Sequence, residues 1–363
     1  MYHGKTVAVV VPAYNEESQI GIVIDTMPPF VDRIIIVNDC STDQTEQIVK
    51  KYIKNEKSEN RIIEYMSKEI EPNLFNYADI LATKILMEEE NYFHPHTIFN
   101  NNATDRIVLI NTLKNGKVGT AIGLGYKWCR DHAIDCTAVM AGDAQMDPGE
   151  LENIIKPVIC DEVDYSKGNR LSHKSAKRLI PKKRRIGNSV LSALTKVASG
   201  YWRISDTQTG YTAISLNALN LIDLYDIYPT YGCPNDILIK LNIAKCSLRE
   251  IPIKPVYNVG EKSKMKIKNV IPRVSWLLIC GYFKRIVRKY LLNDFHPIFI
   301  FFASSWLTFL LTIYFFIYIV KGLIGVGVSV GTYNGFIVML TTSIISFAFG
   351  MWFDMYDNDR LQK

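Results

Sequence analysis

This sequence lacks the cysteine patterns of a structural metal site. Its seven cysteines are scattered and odd in number, with no Cys-x-x-Cys pair. That argues against a zinc module and fits a reducing compartment. A signal peptide is not expected either: the apolar run in MYHGKTVAVVVP is short and leads straight into a polar motif. Charge is missing from His296 to Val320, the run HPIFIFFASSWLTFLLTIYFFIYIV. An apolar stretch of that length spans a hydrocarbon core of about 30 Å as a helix. A Gly-rich piece, GLIGVGVSVGTYNG, then leads to FIVMLTTSIISFAFGMWF, again long enough to span. Two such runs in tandem predict a transmembrane hairpin (spans 297–320 and 332–353), not a pair of core helices.

The charge that is present is unevenly placed. Lys284, Arg285, Arg288 and Lys289 precede the first span, while the loop between spans offers only Lys321. The positive-inside tendency then puts the large N-terminal part and the short tail in the cytoplasm, in a multi-pass protein of the plasma membrane. The formal charge of +6 gathers near the membrane end. That suits an anionic lipid surface and makes nucleic acid an unexpected partner.

The remaining four-fifths reads as α/β. TVAVVV (Thr6 to Val11) is a buried strand, and PAYNEE (Pro12 to Glu17) turns into a helix carrying Ile20, Val23 and Ile24. RIIIVND (Arg33 to Asp39) is a second strand, ending in the polar CSTDQT. Alternating strands and helices argue for a mostly parallel, Rossmann-like sheet with its ligands at the C-terminal strand ends, where both polar clusters fall. Either cluster alone is equally consistent with helix-cap chemistry.

In order, VVVPAYNEE and IIIVNDCSTDQT resemble the opening of family 2 glycosyltransferases, and later segments extend the likeness. NGKVGTAIGLGYKW (Asn115 to Trp128) is similar to the family's Asn-x-Gly-Lys-Gly pattern, with Val118 inserted before Gly119. MAGDAQMDPGEL (Met140 to Leu151) resembles its metal-binding segment. GNRL (Gly168 to Leu171), RRIGN (Arg184 to Asn188) and SDTQTGYTAIS (Ser205 to Ser215) complete the series. The resemblance implies a GT-A fold over residues 1–265, interrupted by an insertion at about 52–105. It also implies an inverting transfer from a nucleotide-sugar, UDP favoured over GDP, using Mg²⁺ or Mn²⁺. Matched on Asp147-Pro148, the family's first metal-segment Asp falls on Ala141, its second on Asp143 and its Gln on Gln145. The metal role therefore passes to Asp143 and Gln145. Such ions take oxygen ligands, with phosphate and water completing the shell. The nucleotide-sugar falls to Pro12, Tyr14, Glu16, Asp39, Lys117, Gly142 and Asp143, Asp39 resembling the carboxylate that reads the base. The family Asp beside it is Asn38 here.

Breaking the sugar–diphosphate bond loads negative charge on the leaving group, which a divalent ion and arginines stabilise. Arg170 resembles the family's phosphate-facing Arg, and Arg184 or Arg185 is a second candidate. Asp236, in PNDILIKL, sits where many members place a base; it would equally cap its helix. An alcohol acceptor needs a base, whereas a phosphomonoester is already ionised.

The segment IPIKPVYNVGEKSKMKIK resembles the part of polyprenyl-phosphate glycosyltransferases that precedes the membrane. With Arg170, it assigns Lys262 and Lys264 to the acceptor phosphate. NVIPRVSWLLICGYFKRIVRKYLL has the composition of helices lying in a membrane interface, which predicts amphipathic juxtamembrane helices over 266–295 ahead of the hairpin segment, 296–363. In the insertion, Leu74, Ala78, Leu81 and Ile85 predict a helix, and a homo-oligomer contact is favoured over a lid. His94 and His96 read equally as loop residues or ligands. ATDRIVLIN restores the expected strand. The combined expectation is sugar transfer from a nucleotide-sugar to a polyprenyl phosphate at the bilayer. A processive polysaccharide synthase would carry Gln-x-x-Arg-Trp, which is absent. A transferase to a lipid or protein hydroxyl and a non-catalytic scaffold complete the alternatives.

Overall fold

The structure is a computed structural model that describes residues 2–55, 63, 72–176, 182–256, 267–323, 325 and 327–363. For 182–188, 267–270 and 323 it describes the backbone. Lys262 and Lys264 lie outside the described residues, as does part of the insertion.

Eight strands form one mixed sheet: β1 (Val7–Ala13), β2 (Arg33–Asn38), β3 (His96–Phe99), β4 (Ile107–Thr112), β5 (Cys136–Val139), β6 (Tyr165–Asn169), β7 (Thr212–Ser215) and β8 (Leu248–Pro252). Their order is β3-β4-β2-β1-β5-β7-β6-β8. Strands β1, β2, β4 and β5 run parallel, as do β6 and β8. Only β3 and β7 run against their neighbours. The central strands are apolar at nearly every position because both faces are covered. Ala8 and Val10 point into one core, with Ile122 and Leu124 of α4 (Lys117–Asp131). Val7, Val9 and Val11 point into the other, with Ile20 and Val23 of α1 (Ile20–Asp25) and Ile154 of a later helix.

Topology gathers the functional loops at one edge. The C-terminal ends of β1, β2, β4, β5, β6 and β8 lie there, and antiparallel β7 starts there. Helix α4 approaches its neighbour closely at Gly119, whose N–H donates to Pro229 O at 2.8 Å. A Cβ on Gly119 would sit 2.0 Å from the Tyr228 carbonyl oxygen. Gly119→Ala is therefore expected to destabilise the domain by about 1–3 kcal/mol, the range for overpacking. Thermal unfolding checks this, and an unchanged midpoint would show that the loop yields freely.

The remaining helices, in chain order, are α2 (Thr45–Lys54), α3 (Tyr77–Glu89), α5 (Leu151–Ile159), α6 (Lys182–Ser199), α7 (Leu216–Leu221), α8 (Cys233–Ile243), α9 (Ile267–Val287), α10 (Pro297–Leu323) and α11 (Val330–Asp359). The helix expected in the insertion is α3, which begins after Leu74. Strand β3, which sequence reading missed, ties the insertion to the sheet edge by pairing with β4. A π-helical turn, Arg288–Asn293, joins α9 to α10.

Helices α10 and α11 are long and apolar enough to cross a membrane, with mean hydropathy of 2.0 and 1.9. They pack on each other through a reciprocal pair, Ser305 Oγ to Ser343 O (3.1 Å) and Ser343 Oγ to Ser305 O (3.0 Å). Helix α11 runs past the expected span, and its last turns return to the sheet-bearing domain. Arg285 donates to both carboxylate oxygens of Asp354, at 2.6 and 3.0 Å, and both residues are fully buried. Its remaining N–H groups reach the carbonyls of Val197 and Ala198 on α6. Lys289, 1% exposed, pairs with Asp357 at 3.1 Å. Two of the four cations that precede the first span are thus internal. Beyond α11, Leu248 N donates to Leu361 O (2.7 Å) and Lys363 N to Leu248 O (3.0 Å), which extends the sheet edge at β8.

Candidate active site

The loops after β1 and β2 are laced together. Asn15 N donates to Ser41 Oγ, Glu16 N to Thr45 Oγ1 and Glu17 N to Asp43 Oδ2, while Gln44 N donates to Glu17 Oε2. The two polar clusters therefore form one platform, with Pro12 in β1 and Tyr14 39% exposed. Asn15, Cys40, Lys117 and Ala144 all have φ between 55° and 72°. Each follows the end of a parallel strand, where the chain turns sharply out of the sheet.

Asp39, 3% exposed, holds the start of α4. Its Oδ1 accepts from Gly116 N (2.7 Å) and Thr112 Oγ1 (3.2 Å), and its Oδ2 accepts from Lys117 N (2.8 Å). The carboxylate expected to read the base thus also fixes Lys117 at the platform's rim. Asn38 is accounted for by a buried amide pair: its Nδ2 donates to Asn111 Oδ1 at 2.8 Å. Asn111 in turn donates to Glu46.

Asp143, Gln145 and Arg170 line one small cavity of about 80 Å³, together with Thr209, Tyr211 and Lys254. The topology explains this meeting. Asp143 and Gln145 follow β5, Arg170 follows β6, the Thr209–Tyr211 turn precedes β7, and Lys254 follows β8. Gln145 N donates to Asp143 Oδ1 (3.1 Å), which orders the metal-type turn. Gly142 N donates to Pro12 O, tying that turn to the β1 platform. Asp147 caps the following turn, its Oδ1 accepting from Gly149 N at 2.9 Å.

Arg170 is held bidentately by Asp206, with Nε to Oδ2 at 2.8 Å and Nη2 to Oδ1 at 3.0 Å. Asp206 is 1% exposed. Burial works against its charge, yet the hydrogen bonds and charge of Arg170 hold its pKa below the ordinary carboxylate value. Behind this pair, fully buried Lys167 donates to Thr209 O. Burial lowers the Lys167 pKa to about 8, with Asp206 and Glu250 opposing the loss of charge. Glu250 receives the backbone N–H groups of Ser205 and Asp206 and the Asn169 amide. Asp206, Lys167, Glu250 and Lys254 escaped sequence reading. The single available signal was the Asp of SDTQTGY, which the family resemblance covered without a role.

Other candidates lie apart. Arg184 and Arg185 fall in the first turn of α6. Asp236 lines a separate cleft of about 1200 Å³, as do His94 and the donor candidate Lys117, and that cleft shares no lining residue with the Asp143 cavity. Asp236 accepts from Tyr228 N at 3.0 Å, and burial raises its pKa against the pull of Lys240. No cluster of three or more His, Cys, Asp or Glu side chains suited to a metal occurs among the described residues. The donor set at Asp143 and Gln145 is one carboxylate and one amide oxygen. It fits a divalent ion whose remaining ligands are phosphate and water oxygens.

Residues 8–69 match Glycosyl transferase family 2. A UDP-N-acetylglucosamine–dolichyl-phosphate N-acetylglucosaminyltransferase of Methanococcus voltae is 27% identical over 254 residues, 70% of this chain and 86% of that one. An uncharacterised protein of Methanocaldococcus jannaschii is 25% identical over 282 residues, 77% of this chain and 91% of that one. Among solved structures, glucosyl-3-phosphoglycerate synthase of Mycobacterium tuberculosis, in complex with Mn²⁺, UDP and glucosyl-3-phosphoglycerate, gives a TM-score of 0.46 at 16% identity. The match covers 78% of this chain and 80% of that one. The platform of laced loops falls inside the matched span, so this part of the chain is similar to Glycosyl transferase family 2.

Proposed function

We propose that the chain transfers a sugar from a UDP-sugar to a polyprenyl phosphate at the cytoplasmic face of a membrane, with a divalent ion at Asp143 and Gln145. The observation that carries this reading is the separation of the two cavities. Asp143, Gln145 and Arg170 share one, and the base candidate Asp236 lines the other. A phosphate acceptor is already ionised and needs no base beside the reacting carbon, whereas a hydroxyl acceptor does. The dolichyl-phosphate relative supports the same acceptor and makes UDP-N-acetylglucosamine the first donor to test. The two apolar helices support placement at a bilayer.

When bound, the ion would draw negative charge off the departing diphosphate. Arg170 supplies fixed positive charge at the same cavity, oriented in advance by Asp206 so that little reorganisation accompanies transfer. Lys254 adds a second cation on the β8 side. The domain of residues 1–265 would stand on α9 and the π turn, facing phosphate groups at the surface.

The direct test is purified chain in detergent with UDP-N-acetylglucosamine, Mn²⁺ or Mg²⁺ and polyprenyl phosphate. Metal-dependent formation of a lipid-linked sugar supports the proposal; a polymer or a hydroxyl-linked product with no phosphate-linked sugar overturns it. Asp236→Asn separates the acceptors further. It is expected to keep turnover within about fivefold, because general-base catalysis, usually worth about 10²–10⁴-fold, is not called on. A hundredfold fall in kcat in a normally folded variant would favour a hydroxyl acceptor.

A further inference from the structure

Beyond the donor candidate Lys117 and the base candidate Asp236, the 1200 Å³ cleft is lined by side chains that have no role in the proposed transfer. Six Lys and Arg side chains line it against four Asp. One wall is the face of α9 bearing Leu277, Gly281 and Lys284, whose spacing of four and three residues keeps them in one row, continued by Arg288 at the start of the π turn. The cleft reaches Leu292 and Asp294, just before α10 begins at Pro297. Leu292 and Phe295 at this mouth are 70% and 73% exposed. On the adjoining stripe of α9, Trp276, Ile279 and Phe283 are exposed as well, the pattern of a helix lying in a membrane interface.

Among the described residues, the insertion contributes one to the cleft's lining. His94 lines the cleft, and Tyr92 stacks on Tyr225, another lining residue, at 5.0 Å. Buried Glu89 pairs with Arg130 at 2.7 Å and Glu90 with Lys127 at 2.6 Å, which fastens this end of the insertion to α4. The insertion thus borders, through His94, a cleft that reaches Leu292 and Asp294 just ahead of α10.

We propose that this cleft seats the anionic headgroup of a bilayer lipid, with Lys284 and Arg288 contacting its phosphate; the proposal rests on the membrane placement given above. Both cations hold half-exposed carboxylates, Lys284 with Asp226 at 3.1 Å and Arg288 with Asp223 at 3.7 Å. Exposed pairs of this kind contribute little, so a phosphate can take over either cation. Basic side chains just ahead of a span favour anionic lipids for the same electrostatic reason. The lipid's chains would stay in the bilayer beside Leu292 and Phe295.

Cys280 lines the cleft as an exposed free thiol and reports on it. Full-length chain in detergent would be treated with a maleimide and alkylation followed by peptide mass, with exposed Cys160 as internal control. Dihexanoyl-phosphatidylglycerol is expected to slow Cys280 alkylation about tenfold and leave Cys160 unchanged, a difference of about 1.4 kcal/mol. The protection should vanish in the Lys284→Gln/Arg288→Gln variant. It should strengthen in Asp223→Asn, which frees Arg288. Equal protection by dihexanoyl-phosphatidylcholine, protection that survives the double variant, or no protection overturns the proposal. Protection by polyprenyl phosphate alone also overturns it and assigns the cleft to the acceptor. Because the probes are soluble lipids, this result is independent of turnover. Vesicle flotation tests the membrane placement separately: a chain that stays with the aqueous phase sinks that placement whatever Cys280 reports.

Discussion

Asp143→Ala is expected to lower sugar transfer by at least about a hundredfold, the usual scale for removing one group that stabilises developing charge. Asp143 is the only carboxylate of the proposed ion-binding pair, because Ala141 occupies the family's other acidic position. Gln145 alone offers a neutral amide oxygen, a poor substitute for hard divalent cations. The loss should appear mainly in kcat and should respond weakly to added Mn²⁺. Folding should survive, since Asp143 lies in a cavity-lining turn, where it accepts a local hydrogen bond from Gln145 N. The measurement is product formation beside a thermal unfolding curve and membrane fractionation of the variant. Substantial activity in a normally folded Asp143→Ala chain would remove the site from this cavity.

The second large effect is on stability. Asp354→Ala leaves Arg285 with no counter-charge at a position where both side chains are fully buried. Breaking such a pair by removing one partner costs about 3–5 kcal/mol, because the remaining charge stays desolvated. The carbonyls of Val197 and Ala198 still accept from Arg285, and Tyr290 loses its 2.8 Å bond to Asp354. Denaturant unfolding in detergent should show the drop. Replacing both partners, Arg285→Met with Asp354→Leu, should recover much of it, since an apolar pair of similar volume carries no desolvation penalty. A single variant within about 1 kcal/mol of the parent would mean that water reaches Arg285 and that the pair is not internal.

Much of the fold was legible because the signals were local. The runs at Val7–Ala13, Arg33–Asn38 and Ile107–Thr112 are apolar throughout, as strands covered on both faces must be. The polar clusters at their ends followed from the rule that parallel sheets gather ligands there. Both long apolar helices were equally plain. What stayed hidden depends on pairing between distant segments. Nothing in the spacing of Arg170 and Asp206 shows that 36 residues of chain bring them into a bidentate pair. Strand β7 runs antiparallel between β5 and β6, so the Thr209–Tyr211 turn reaches the site from the opposite chain direction. Arg285 and Lys289 read as surface cations because their partners, Asp354 and Asp357, lie on the far side of two apolar helices.

That last arrangement bears on how the protein is made. Asp354 and Asp357, in the last turns of α11, and Leu361 beyond it are synthesised after the apolar runs, yet they complete contacts with α9, the π turn and the edge strand β8. Under the proposed membrane placement, the sheet-bearing domain would wait during translation with Arg285 unpaired and the β8 edge open until the hairpin has inserted and turned back. A chain whose second helix fails to insert therefore presents cellular proteases and chaperones with a buried charge lacking its partner and a bare strand. Under that placement, insertion and completion of the domain become one event, joined through Arg285 and Asp354.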